Sequence, residues 1–268
     1  MNIVRIDSLN AEELTPYARL TEAQLLDRLH PAQGRFICES EKVIRVALQN
    51  GQRPQSFLCE EKFLDSQVAR LMELVPDEQR DHIPVFNADR ETLSHLTGYE
   101  LSRGVLCCIH RSPLPTVAEV CSGARRVAVL DGVVNSENTG AIFRGAAALG
   151  IDGVLLTRTC CDPLNRRACR VSMGTVFQLP WTFLDNYGQL ADNGFQTVAL
   201  ALTESSVPIG DPALRCIEKM AIILGTEGDG LSESVLRRCD YVARIPMYHD
   251  VDSLNVAAAA AVAFYALV

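Results

Sequence analysis

The stretch 245-IPMYHDVDSLNVAAAAAVAF-264 decides how this chain is read. It opens on the apolar end of a strand, passes through a polar cluster of Asp252, Ser253 and Asn255, and closes on an alanine-rich helix. Ser or Asn at the mouth of a helix offers an oxygen to the first unpaired amides, so capping alone would explain part of the cluster. Two earlier stretches share the grammar of strand, Gly-bearing polar turn and helix: 138-NTGAIFRGAAALG-150 and 224-LGTEGDGLSE-233. Three such turns in one run of alternating elements put polar groups at the carboxyl ends of strands, where open α/β sheets bind ligands.

The strands around these turns, RRVAVLDG, DGVLLTR, FQTVALAL, MAIILG and VARIPM, are almost uniformly apolar and alternate with helical segments. That pattern predicts a mostly parallel sheet covered on both faces. Upstream, RFICES, QSFLCEE, HIPVFNA and RGVLCCIH read as strands, separated by the helical EKVIRVALQNG, LDSQVARLMELV and RETLSHLTG. They form an α/β unit of about 80 residues, within the usual size of a domain. Residues 1–34, with a helical TEAQLLDRL, extend it, and the proline-bearing RSPLPT at 111–116 marks a linker. The expected organisation is an N-terminal α/β domain over 1–112, a linker over 113–123 and a second α/β domain over 124–268.

Composition narrows the class. With 268 residues, 48% hydrophobic and 22% charged, the chain is expected to be folded rather than disordered, and MNIVRIDSLNAEEL, which joins no positive region to an apolar one, leads to the expectation of a cytosolic protein. The apolar run from Val256 to Val268 falls short of the roughly 20 residues that cross a bilayer, and no membrane association is expected. Its alanines suit close packing against another helix or subunit. The ten cysteines fall in adjacent pairs or singly in apolar strands, without a CxxC, so free buried thiols and no metal site are expected. A net charge of −8 argues against nucleic-acid affinity over the whole surface. A local basic face remains open: Arg158, Arg166, Arg167 and Arg170 lie in a stretch whose only acid is Asp162, with Arg125 and Arg126 as a second cluster.

Each turn has a bland and a chemical reading. Asn138 suits an N-cap. Arg144 is the only charged residue between Asn138 and Asp152, in a helix of small and apolar residues, and a guanidinium there calls for a carboxylate or phosphate. The three glycines of GTEGDG permit positive φ and close approach of backbone to a ligand, with Glu227 at the centre of the turn.

Together these residues resemble the SpoU/TrmH family of RNA 2′-O-ribose methyltransferases. The family's Asn, Gly-Ala pair and Arg match Asn138, Gly140, Ala141 and Arg144, and its G-x-E-x-x-G matches Gly225, Glu227 and Gly230. Its I-P-M followed by S-L-N-V matches Ile245, Pro246, Met247, Ser253, Leu254, Asn255 and Val256. DPLNRRACRVSMG at 162–174 is similar to the family's second conserved stretch, and FICESEKVIRVAL and LTGYELSRGVLCCIHR resemble its RNA-substrate-binding domain. One departure stands out: the family's usual Pro-Gly before the first Asn is replaced by Ser136-Glu137, which places an extra carboxylate near the expected RNA path.

The resemblance implies an α/β SPOUT domain with a C-terminal trefoil knot, preceded by a small α/β substrate-binding domain. It implies S-adenosylmethionine as cofactor, held by Leu202, Gly225, Ile245, Met247, Ser253 and Leu254. Asn138, Arg144, Glu227, Ser253 and Asn255 would be catalytic, completed across a homodimer formed by the knot domain. Arg144, Arg166, Arg167 and Arg170 would bind RNA, ribosomal or transfer. A guanidinium effectively never deprotonates, so Arg144 is expected to stabilise the developing alkoxide or clamp a phosphate rather than act as a base. The alternative is a non-catalytic RNA-binding or ribosome-assembly protein that keeps the fold.

Overall fold

A computed structural model describes residues 1–6, 12–97, 104–226, 228 and 230–268. The chain folds as two units, Met1–Pro113 with Leu164–Phe177, and Leu114–Pro163 with Gln178–Val268.

The first unit is built on β1 (Asn2–Arg5), β2 (Arg35–Glu39), β3 (Pro54–Glu60), β4 (Pro84–Ala88) and β5 (Val105–His110), in the order β1-β4-β3-β5-β2. β5 runs antiparallel to β2 and β3, and the other pairs are parallel. The helix Glu41–Gln49 buries Val43, Ile44, Ala47 and Leu48, the single apolar stripe that its spacing dictates. Reading residues 1–34 as a helical extension misses β1. NIVR is too short and too exposed to signal a strand by itself, and pairing with β4 makes it one. The helical TEAQLLDRL appears as Glu22–Leu26, closed by a capping box between Thr21 and Gln24.

The expected linker over 113–123 holds a helix, Val117–Cys121. Thr116 and Glu119 form a capping box, with Glu119 N donating to Thr116 Oγ1 at 3.2 Å and Thr116 N to Glu119 Oε2 at 2.7 Å. Val117, Val120 and Cys121 are buried, so the segment belongs to the second core.

The second unit holds β6 (Arg126–Leu130), β7 (Gly153–Leu156), β8 (Trp181–Phe183), β9 (Gln196–Leu200), β10 (Val207–Pro208), β11 (Met220–Leu224) and β12 (Tyr241–Arg244). Their order is β10-β12-β9-β11-β6-β7-β8, and all six pairings are parallel. Every residue of β7 and β11 is buried, as expected of parallel strands covered on both faces. Alternate residues Val127, Val129, Leu155, Ala221 and Ile223 join Val117, Val120, Leu190 and Phe195 in one apolar cluster. The helices Ser136–Ala148 and Val256–Leu267 pack on each other, the first also on β7 and the second on β11.

Arg126 has a structural task. Its guanidinium donates to the carbonyls of Leu267 at 2.9 Å, Glu218 at 2.8 Å and Ile217 at 3.1 Å, tying the start of β6 to the end of the last helix. One member of the second basic cluster is thus tied to backbone carbonyls. From β6 the strands run outward through β7 to β8, and the remainder lie on the other side of β6. Strand order therefore reverses at the β6–β11 pair. Crevices beside such a reversal, at the carboxyl ends of strands, are where ligands bind in open α/β sheets.

Candidate functional site

A cavity of about 590 Å³ opens at the carboxyl ends of β9, β11 and β12. Its walls are the segments that continue these neighbouring strands: Leu200–Thr203 after β9, Leu224–Thr226 with Gly228, Gly230 and Leu231 after β11, and Arg244, Ile245 and Met247 from β12 onward. The floor comes from 252–256 and Ala259 of the last helix. Leu202, Gly225, Ile245, Met247, Ser253 and Leu254 all line this one space. The sheet brings them together because β12, β9 and β11 are adjacent, although the three segments are far apart in sequence.

The loop after β11 folds back on itself, with a bridge between Thr226 and Gly230. A Cβ on Gly225 would lie 2.6 Å from Gly230 C and 2.7 Å from Leu231 N, so only glycine fits there. Gly228 and Gly230 have φ of +91° and +66°, the left-handed region that glycine enters without cost. Glu227, at the centre of this turn, lies outside the described residues.

The first and last motifs meet directly. Asn255 caps the last helix, accepting from Ala257 N at 3.0 Å, and its Nδ2 donates to Asn138 Oδ1 at 3.1 Å. Asn138 is only 7% exposed. The reading of Asn138 as the cap of its own helix is corrected. Asn135 is the cap, accepting from Glu137 N at 2.8 Å and Asn138 N at 3.3 Å, and Asn138 sits in the first turn. Glu137 also lies in that turn, where a carboxylate is favoured by the helix dipole.

Arg144 is exposed, and its side chain has no hydrogen bond or ion pair among the described residues. Of the two partners expected for it, carboxylate or phosphate, no carboxylate partner lies among the described residues. Ser253 is exposed as well, beside the cavity.

The other arginines expected to bind RNA, Arg166, Arg167 and Arg170, fall in the first unit. Arg166 Nε lies 3.3 Å from Glu39 Oε2, and Arg170 Nη1 lies 3.7 Å from the same oxygen. The Glu39 side chain is only 5% exposed. Burial lowers the Arg166 pKa, while the Glu39 charge acts in the opposite direction. The guanidinium of Arg166 is therefore largely buried and paired with a carboxylate of its own unit. Arg167 is exposed. Sequence patterns hid this because Glu39 and Arg166 are distant in the chain, and only the fold pairs them.

Arg244 and Asp252 were not among the expected site residues, yet both line the cavity. They flank the I-P-M and S-L-N-V motifs, and that proximity was the available signal. All ten cysteines are free, and among the described residues no His, Cys, Asp and Glu group could hold a metal. No helix of the described residues is long and apolar enough to cross a membrane.

A model of the SpoU rRNA Methylase family matches residues 125–265. An uncharacterized tRNA/rRNA methyltransferase of Mycobacterium tuberculosis is 41% identical over 202 residues, covering 73% of this chain and 70% of the relative. An AdoMet-bound rRNA methyltransferase from Sinorhizobium meliloti superposes with a TM-score of 0.81 at 22% identity, over 99% of this chain and 97% of that one. A crystal structure of an RNA 2′-O ribose methyltransferase gives a TM-score of 0.74 at 22% identity, over 98% of each chain. The two structures share the fold of this chain, with its mostly parallel sheet. By the family match over more than half its length and by its likeness to the mycobacterial relative, this chain belongs to the SpoU rRNA Methylase family.

Proposed function

We propose that this chain transfers a methyl group from S-adenosylmethionine to a ribose 2′-hydroxyl of ribosomal or transfer RNA. The observation that carries this reading is the 3.1 Å bond to Asn138 from Asn255, which lines the cavity, joining motifs 117 residues apart. A capped helix needs no such bond. Its use is to fix two polar side chains where a third group must be oriented.

The cavity fits the cofactor. Its volume is in the range of small-molecule sites, and Leu202, Ile245, Met247 and Leu254 provide apolar walls for a flat heterocycle beside backbone groups at strand ends. When bound, S-adenosylmethionine supplies a methyl group activated by a sulfonium sulfur. The chain's own contribution is positioning, because nucleophile, carbon and leaving sulfur must lie nearly in line. Asn138, Ser253 and Asn255 orient the ribose. Arg144, exposed and without a partner among the described residues, is available to the developing alkoxide or the adjacent phosphate. Glu227 fixes the glycine loop or the arginine across a dimer.

In the same proposal the C-terminal part forms a trefoil knot and the protein works as a homodimer. The exposed apolar side chains Val262 and Tyr265 on the last helix support a covered face. The first unit, with Arg167 and Arg170, contributes to RNA binding.

The test is isothermal titration of S-adenosylmethionine into the wild-type protein and a Leu254→Trp variant that fills the cavity. The proposal expects binding that the variant abolishes. A folded wild-type protein that binds no cofactor, with or without RNA, would return the chain to the non-catalytic alternative.

A further inference from the structure

Among the described residues lining the cavity, only Arg244 and Asp252 are charged. Arg244 is half-buried, and the only hydrogen bond of its side chain among the described residues runs from Nη1 to Ser206 Oγ at 3.4 Å. That is long for a hydrogen bond, and a guanidinium carries five N–H donors. Nor can Ser206 come closer to serve it. Ser206 Oγ donates to Thr203 O at 2.7 Å and accepts from Thr203 N at 3.3 Å, which locks the turn. A cation drawn partly out of water with so little compensation is costly unless an anion arrives. Asp252 is exposed, has no partner among the described residues, and leads into the Asn255 cap.

We infer that Arg244 and Asp252 hold the amino-acid end of the methyl donor, with Arg244 on the α-carboxylate and Asp252 on the α-ammonium. This rests on the cofactor reading above. On either side of its sulfonium sulfur the ligand has a flat adenosine with no formal charge and a zwitterionic amino-acid end, and the cavity has a matching kind of wall for each of these two ends. One cation and one anion accept a zwitterion with no net change of charge, and a guanidinium pairs with a carboxylate through two parallel bonds. The same pair disfavours adenosine polyphosphates, because Asp252 would face phosphate charge. Arg244 and Asp252 are thus specificity-determining residues for the donor and take no part in the chemistry at the ribose.

The experiment compares S-adenosylhomocysteine, which keeps the tail, with 5′-methylthioadenosine, which lacks it, by isothermal titration into the wild-type protein, Arg244→Gln and Asp252→Asn. Wild-type protein should bind S-adenosylhomocysteine more tightly. Arg244→Gln should lower that affinity about 10- to 100-fold and Asp252→Asn about 10-fold, with 5′-methylthioadenosine changed by less than about 2-fold in both. Equal wild-type affinity for the two ligands would overturn the inference whether or not the variants fold. So would a loss of 5′-methylthioadenosine binding as large as that of S-adenosylhomocysteine in folded variants, which would place the residues on the adenosine. A wild-type protein that binds neither ligand would sink the cofactor reading itself and the inference with it.

Discussion

Asn255 uses both ends of its amide: Oδ1 accepts from Ala257 N at 3.0 Å, and Nδ2 donates to Asn138 Oδ1 at 3.1 Å. The acceptor end stabilises the last helix, and the donor end fixes the neighbouring motif. The two contacts therefore load one side chain through separate atoms.

Those loads can be separated. Asn255→Ser keeps an oxygen suited to the cap and is too short to reach Asn138. Its stability should stay within about 0.5 kcal/mol of wild type, while methyl transfer falls at least about tenfold. Asn255→Ala should lose the same activity and about 1 kcal/mol of stability as well. Denaturant unfolding and single-turnover methylation measure the two quantities, and a wild-type rate for Asn255→Ser would refute the positioning role.

Gly225→Ala forces a Cβ to 2.6 Å from Gly230 C, against backbone that cannot rotate away. The loop after β11 must shift, at a cost of about 1–3 kcal/mol. Because that loop is one wall of the cavity, S-adenosylmethionine affinity should fall more than about tenfold while circular dichroism stays native. Unchanged affinity would mean that the wall is not used.

Glu39→Gln removes the charge that faces Arg166 and Arg170. A largely buried guanidinium left without its anion costs about 3 kcal/mol, so the urea midpoint of the first unit should drop clearly. Adding Arg166→Met should recover part of the loss, since an apolar side chain needs no counterion. If Glu39→Gln is neutral, Arg166 is not held by this pair.

Burial pushes the thiols of Cys59 and Cys108 up to about 12 from an ordinary 9.0. Between these values the unfolded chain has lost protons that the folded chain keeps. Stability is therefore complete below about pH 9 and falls as pH rises toward 12. Urea unfolding at pH 7, 9 and 10.5 should show that decline, and Cys59→Ala with Cys108→Ala should reduce it. At neutral pH a thiol reagent should modify the exposed Cys216 well before these two. A stability that does not change from pH 9 to 10.5 would contradict the buried, protonated thiols.

Much of this fold is legible because its strands are short apolar runs between punctuated helices. Met220–Leu224 reads as a buried strand in any context, and it lies at the centre of the sheet. The six residues assigned to the cofactor line one cavity because their motifs follow strands that prove to be neighbours. What sequence concealed was of two kinds. Local choices were misjudged between near-equal candidates: Asn135 rather than Asn138 caps its helix, and the T-x-x-E of Thr116 and Glu119 starts a helix inside an apparent linker. Long-range pairings carried no local trace, as with Glu39 and Arg166, or with Arg126 and the carbonyl of Leu267.

The central claim, methylation of a ribose 2′-hydroxyl, is tested most directly by mapping 2′-O-methylated positions in total RNA from cells with and without the gene. Complementation should use the wild type, Arg144→Lys and Arg144→Ala. The account predicts a 2′-O-methyl mark that vanishes on deletion, returns with the wild type, and stays largely absent with either variant, because lysine lacks the planar fork. No difference at any ribose, or a lost mark that proves to be on a base, would contradict it.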